Sequence, residues 1–405
     1  MRISGLLLCC VLVAGCSRGA ASLPATQSAS ARQLPLTSSG YHSLYAFKGA
    51  PDGADPAAGL VNVNGKLYGT TVQGGAGTCG QHGCGVLFEM TREGSEDVTY
   101  SFAGGTDGQN PMAALIAVNG RIYGTTQGGG SSSGGGGGTV YEWPRFGGER
   151  VLHRFTGTPD GADPYAGLLF YEGLFYGTTY SGGKDGNGAV FTVNRASKER
   201  VLYSFKGGAD GSAPLGGLTV VHGILYGTTA GGGRGTAGTV YSLTTRGKER
   251  VIYSFKGGSD GETPATTLVD ARGELYGTTV YGGTASQSNG TVFAVSRSGV
   301  ERVVYRFQGG SDGATPYGNL VAINGTLYGT TYFGGSGSPS GHGNGTLYEV
   351  TKAGAEVQLH QFQGGSDGAN PAAGLLYANH VLYGTTSEAG LSVPSGNGTV
   401  FSFSP

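Results

Sequence analysis

Seven copies of Asp-Gly-x-x-Pro, beginning at Asp52, Asp107, Asp160, Asp210, Asp260, Asp312 and Asp367, are the first residues in this chain whose type and spacing suggest chemistry. So many carboxylates invite a calcium reading. A hard cation, however, needs about six to eight oxygens converging on one point, and each loop has one regular carboxylate. An Asp that caps its own turn, followed by a permissive Gly and a φ-fixing Pro, accounts for the motif as structure. Asp55 and Asp163 are extra acids within two of these loops, and Asp185 lies in a variable loop nearby in sequence. Carboxylates brought together in that way would serve an enzyme acting on polysaccharide, a hydrolase or lyase. Cys79 and Cys84 are expected to form a local disulfide in an oxidising envelope. A metal site there would use both thiols and His82, and the loop supplies no fourth ligand. The histidines, His42, His82, His153, His222, His342, His360 and His380, fall at scattered phases, and phase pairs none of them with a second functional group. His153 and His360 stand where other repeats have Tyr and are expected to pack there. The run Gly134–Gly138 follows three serines and precedes a strand rather than a helix, so it reads as a loop and not as a phosphate cradle. No catalytic set, metal or cofactor is therefore expected.

Recognition is the other chemistry on offer. Tyr165 and Tyr317 follow the loop proline, and Tyr180, Tyr281, Tyr332 and Phe333 follow a Thr-Thr pair. Aromatic rings around a shallow cavity stack on sugars or anchor a peptide. The competing reading is that each packs on a neighbouring loop.

The elements that position these residues come from repetition. A hydrophobic-Tyr-Gly-Thr-Thr motif recurs at Tyr68, Tyr123, Tyr176, Tyr226, Tyr276, Tyr328 and Tyr383, at intervals of 55, 53, 50, 50, 52 and 55 residues. That is a kelch-like period, and a unit of this length made of short β segments is a propeller blade. Each unit holds four β-type runs, A to D, with an Asn-Gly hairpin turn between A and B at Asn64, Asn119 and Asn324. Run A has small residues, such as Ala58-Gly59 and Gly216-Gly217, where strands converge on an axis. Run D begins with Glu-Arg in four repeats, as at Glu149-Arg150, which suits an outer edge that must resist pairing. The last unit has A, B and C but no D, and Ser43–Phe47 matches the D pattern. The fold expected is all-β: a seven-bladed β-propeller with four antiparallel strands per blade, closed by an N-terminal strand that completes the last blade. Connections from B to C contain 13, 11, 8, 8, 10, 13 and 11 residues and emerge on the same face as the Asp-Gly-x-x-Pro loops. Variable loops on a rigid frame are where binding resides.

Residues 1–16 carry one early positive charge, an apolar run and the ending Val13-Ala14-Gly15-Cys16. This is a secretory signal too short for a permanent span, and its end resembles a lipobox in which Cys16 is lipidated; a plain cleaved signal is the alternative. Residues 17–42 read as a flexible tether, and 43–405 as the propeller. The chain has 83 glycines in 405 residues and a net charge of -1. The glycines run in register with aromatic and branched residues, which disordered tracts lack, and the charge offers nucleic acid no basic footprint.

Leu-Tyr-Gly-Thr-Thr, Gly-Gly, Gly-Thr-Val-Phe and Phe-x-Gly-Gly-x-Asp-Gly-x-x-Pro, recurring in phase from about Ser43 to Phe403, resemble the GloVer repeat of bacterial surface proteins, named from Gloeobacter and Verrucomicrobia. Such proteins have alternative anchors, and the resemblance makes Cys16 the lipid version. It brings no established reaction or ligand. Departures are Phe175 for Leu in the third motif and Ser387-Glu388-Ala389-Gly390, where the Gly-Gly step is degraded. The expectation is a monomeric lipoprotein of the cell envelope, with Ser17 after the Cys favouring the outer membrane, or otherwise a secreted protein. Its role would be non-catalytic binding or scaffolding of an envelope protein or glycan. Alternatives are the polysaccharide-active enzyme and a purely structural surface protein.

Overall fold

The computed structural model describes residues 40–131, 136–144, 148–284, 288–335, 343–388 and 396–405. The signal, Cys16, most of the tether, Gly134, Gly135, His342, Ala389 and Gly390 lie outside the described residues.

Seven separate antiparallel sheets make up the described residues, each with strand order A-B-C-D, and in the fifth Glu262–Pro264 adds a short strand against strand B. In the first blade the strands are Val61–Val63, Lys66–Thr71, Val86–Met90 and Glu96–Ser101. In the last, Leu376–Ala378, Val381–Thr386 and Thr399–Phe403 are joined by Tyr41–Ala46, which pairs with Thr399–Phe403 from Tyr41↔Phe403 to Ala46↔Thr399. The closing strand begins at Tyr41, two residues ahead of the expected Ser43. The molecule is thus a seven-bladed propeller, latched by its N-terminal strand.

The repeated motif holds each blade together and joins it to the next. In the first copy, Gly69 lies opposite Phe88 of strand C, and a Cβ on Gly69 would stand 2.5 Å from that ring and 2.7 Å from Leu60. Gly is required there because the aromatic of strand C lies across the backbone. The first Thr of each pair reaches the following blade: Thr70 donates to Pro111 O at 2.9 Å, Thr278 to Pro316 O at 3.0 Å, and Thr385 to Ala58 O at 3.3 Å across the closing joint. All of these hydroxyls are buried, so each bond satisfies groups that water cannot reach. The second Thr stays at home, as Thr126 does in bonding Gly128 O and Thr139 Oγ1.

An aromatic joint of the same geometry recurs at all seven blade boundaries. Phe47–Phe88, Phe102–Tyr141, Phe155–Phe191, Phe205–Tyr241, Phe255–Phe293, Phe307–Tyr348 and Phe362–Phe401 meet edge to face, with centroids 4.9–5.3 Å apart. The core is therefore a ring of wedges between sheets. That explains why one repeat alone would leave its apolar face in water.

Strand D corrects the edge reading. The arginines at its start face solvent, but Glu149, Glu199, Glu249 and Glu301 turn inward, each with a shielded Oε1. A β-bulge disrupts the pairing of C with D in every blade, as between Leu87 and Phe88. The bulge, which twists an edge away from other strands, is the protective device here.

Candidate functional site

The small residues of run A do converge on the axis. A Cβ on Gly216 would come within 2.4 Å of Thr266 O in the next blade, and one on Gly318 within 2.5 Å of Ala373 O. What remains is an axial cavity of about 110 Å³, lined by small residues such as Ala57, Gly59 and Gly374 and flanked by Met112, Leu215, Tyr165 and Tyr317. No carboxylate lines it, and its volume accommodates a few waters rather than a sugar.

The candidate aromatics form two groups at the mouth of this cavity. Tyr165 and Tyr180 of the third blade meet edge to face at 5.5 Å. On the sixth blade, Tyr317 meets Tyr332 at 5.8 Å, and Tyr332 meets Phe333 at 4.8 Å. Tyr281, from strand B of the fifth blade (Glu274–Tyr281), lies beside the Tyr317 side chain. Burial, and then Tyr281, push the Tyr317 hydroxyl up to about 12, so the group stays a neutral donor. Tyr180, Tyr281 and Tyr317 remain 40%, 43% and 38% exposed. Phe333, Tyr332 and Tyr165 are half-buried.

The extra acids are not brought together. Asp163 accepts from Ser181 Oγ at 2.6 Å and from Gln127 Nε2 at 3.2 Å, which ties its loop to two neighbouring segments. Asp185 is exposed on its own loop. Asp55 sits at the joint of the last and first blades, where burial and then the Glu388 charge push its carboxyl up to about 6. Both Asp55 and Asp163 hold positive φ, 58° in each case, as the loop geometry demands.

Each Asp of the regular motif accepts hydrogen bonds within its own turn and from the strand before it. Asp107 accepts from Ala103 N at 2.6 Å and from Tyr100 Oη at 2.7 Å; Asp210 and Asp260 repeat the pattern with Tyr203 and Tyr253. The two histidines that replace this Tyr take over its bond: His153 Nε2 lies 3.1 Å from Asp160, and His360 Nε2 3.1 Å from Asp367. They are bonded to an acid and not merely packed, which repeat phase did not reveal because the partner lies seven residues on, across a turn. Cys79 and Cys84 are joined in a disulfide, so neither sulfur is a thiolate ligand.

Seven wedges of tandem sequence around a narrow axis, with two groups of aromatic rings at its mouth, define a repeat-built propeller. The model of the Gloeobacter/Verrucomicrobia repeat matches residues 77–288 and 284–405, and the chain belongs to that family. A search of the curated proteins finds no match. Among solved structures, a puromycin hydrolase is similar at 13% identity and a TM-score of 0.48, covering 85% of this chain and 53% of its own. The present chain thus spans about half the length of that enzyme. A PL25 ulvan lyase is similar at 11% identity and 0.47, covering 89% and 92%, and a gluconolactonase from Xanthomonas campestris at 11% and 0.42, covering 90% and 89%. Likeness at this level attaches none of those activities to the present chain.

Proposed function

We propose that this protein is a non-catalytic binding module of the bacterial cell envelope, which takes a glycan on the loop face of its ring and is held to the membrane by a lipid on Cys16. The observation that carries the binding role is the pair of tyrosine groups at the axial mouth, three of whose rings keep more than a third of their surface exposed. Exposed tyrosines on a rigid frame offer flat apolar faces with hydroxyl donors, the combination that suits sugar rings. The lipid and the outer-membrane placement rest on Val13-Ala14-Gly15-Cys16-Ser17. Affinity electrophoresis against envelope and plant polysaccharides tests the reading, with a Tyr180→Ala/Tyr332→Ala variant alongside. Retardation lost in the variant supports it; no retardation by any polymer overturns the glycan and directs the search to protein partners, by cross-linking in the native envelope.

One observation favours an enzyme as a second reading. Asp55, with its raised carboxyl beside Glu388, is the acid on this face best suited to carry a proton near neutral pH. Product release from a polysaccharide that disappears in Asp55→Asn would move the assignment from binder to hydrolase or lyase.

A further inference from the structure

At five blade joints, strand D places a Tyr against the Asp of the following loop, and the Glu opening the next strand D closes on the same pair. One joint differs. There His153 replaces the Tyr, and His153, Asp160 and Glu199 offer an imidazole nitrogen and two carboxylate oxygens, all within 4.8 Å of one another. We propose that this triad binds one divalent transition-metal ion of the zinc type, with a water in the fourth position.

Four observations converge on it. The donor set is right: a tyrosine hydroxyl is a poor ligand for zinc, whereas imidazole and carboxylate are ordinary ones. The charge is right, since two carboxylates and a neutral imidazole balance a dication. The geometry is close: ligand atoms around tetrahedral zinc lie about 3.3 Å apart, and His153 Nε2 already stands 3.1 Å from Asp160 Oδ2. Only the Glu199 arm has to close in. Finally, Asp160 and Glu199 line an open surface cavity of about 410 Å³ together with Pro159 and Lys184. An ion therefore has an entry path and a position for its water.

The molecule contains its own controls. His360 bonds Asp367 in the same way, but the place of the third ligand is taken by Tyr41, whose ring stacks on the imidazole at 3.8 Å. That joint has two ligands and should hold no ion. The substitution His153→Tyr restores the residue that Tyr45, Tyr100, Tyr203, Tyr253 and Tyr305 supply at the same place, so it is compatible with the fold.

The test uses the full chain without an affinity tag, stripped with chelator and titrated with Zn²⁺ by calorimetry and with Co²⁺ by visible absorption. One equivalent is expected to bind, with the d–d bands of a low-coordinate site. His153→Tyr and Glu199→Gln should each weaken binding at least tenfold, and His360→Tyr should leave it unchanged. The proposal is overturned if the native chain binds neither ion, if His153→Tyr binds as tightly as the native chain, or if His360→Tyr removes the ion instead.

Discussion

Gly69 shows how much a single position controls. Its missing Cβ is the space in which the Phe88 ring lies, so Gly69→Ala forces the aromatic joint of the first blade apart. Overpacking of this kind costs about 1–3 kcal/mol, and urea unfolding should show that loss; an unchanged midpoint would mean that the ring slides aside freely. Thr278 offers a contrasting probe. Its buried hydroxyl bonds Pro316 O in the next blade and meets Thr266 Oγ1, and Thr278→Val keeps the shape while leaving a buried carbonyl unsatisfied. A loss of about 1–3 kcal/mol is expected. Both roles were partly legible in sequence: the recurrence of Gly-Thr-Thr marked the positions as structural. Which Thr crosses to the next blade was not, because the two share local sequence and differ only in which side of strand B they face.

At the scale of the element, strand D carries the information that repeat phase failed to convey. Its opening Glu read as edge charge, yet its partners are the Asp and the Tyr or His of the preceding joint. Glu199 and His153 lie 46 residues apart in sequence, in different blades. No pattern within one repeat can show a contact made between repeats. By contrast, the displaced strand D at the N-terminus was readable from a count of strands, since the last unit lacked one. The pairing of Tyr41–Ala46 makes a sharp prediction. A chain beginning at Gly49 loses that strand and also Phe47, whose burial against Phe88 is by itself worth about 3–5 kcal/mol. Its denaturant midpoint should fall well below that of a chain beginning at Gly40, and equal midpoints would contradict closure by this strand.

For the whole molecule, the inward glutamates make stability depend on pH. Burial, and next the neighbouring Asp, push Glu96, Glu249 and Glu301 up to about 7, and Glu149 and Glu356 up to about 8. Glu149 faces Asp107 and Arg154, and Glu356 faces Asp312 and Glu349. A folded carboxyl above its unfolded value of about 4.3 holds a proton that the unfolded chain releases. The stabilisation is complete below that unfolded value and is lost as pH rises through 7 to 8. Melting temperature should therefore decline from pH 5 to pH 9, and Glu149→Gln with Glu356→Gln should flatten the decline; a melting temperature that rises over this range would refute the assignment. Architecture was legible because it is repeated seven times. Ligand chemistry was not, because it resides in the places where one repeat departs from the others, as His153 does.

The stacking of Tyr41 on His360 has a consequence for how the chain finds its own end. During synthesis Tyr41–Ala46 emerges 352 residues ahead of Thr399–Phe403, the strand it must join. Meanwhile six near copies of that partner become available, and any of them would accept the same backbone. The closing strand alone among the seven D strands carries Tyr rather than Glu at its opening position, and His360 in the adjoining blade is matched to it. In five of the other six joints that Tyr would meet a Tyr–Asp pair instead of a His–Asp pair, and only the joint of His153 and Asp160 resembles its own. The mismatch gives the first strand made a partial address: of seven look-alike sites, two present the His–Asp pair, and one of these is where the circle is complete.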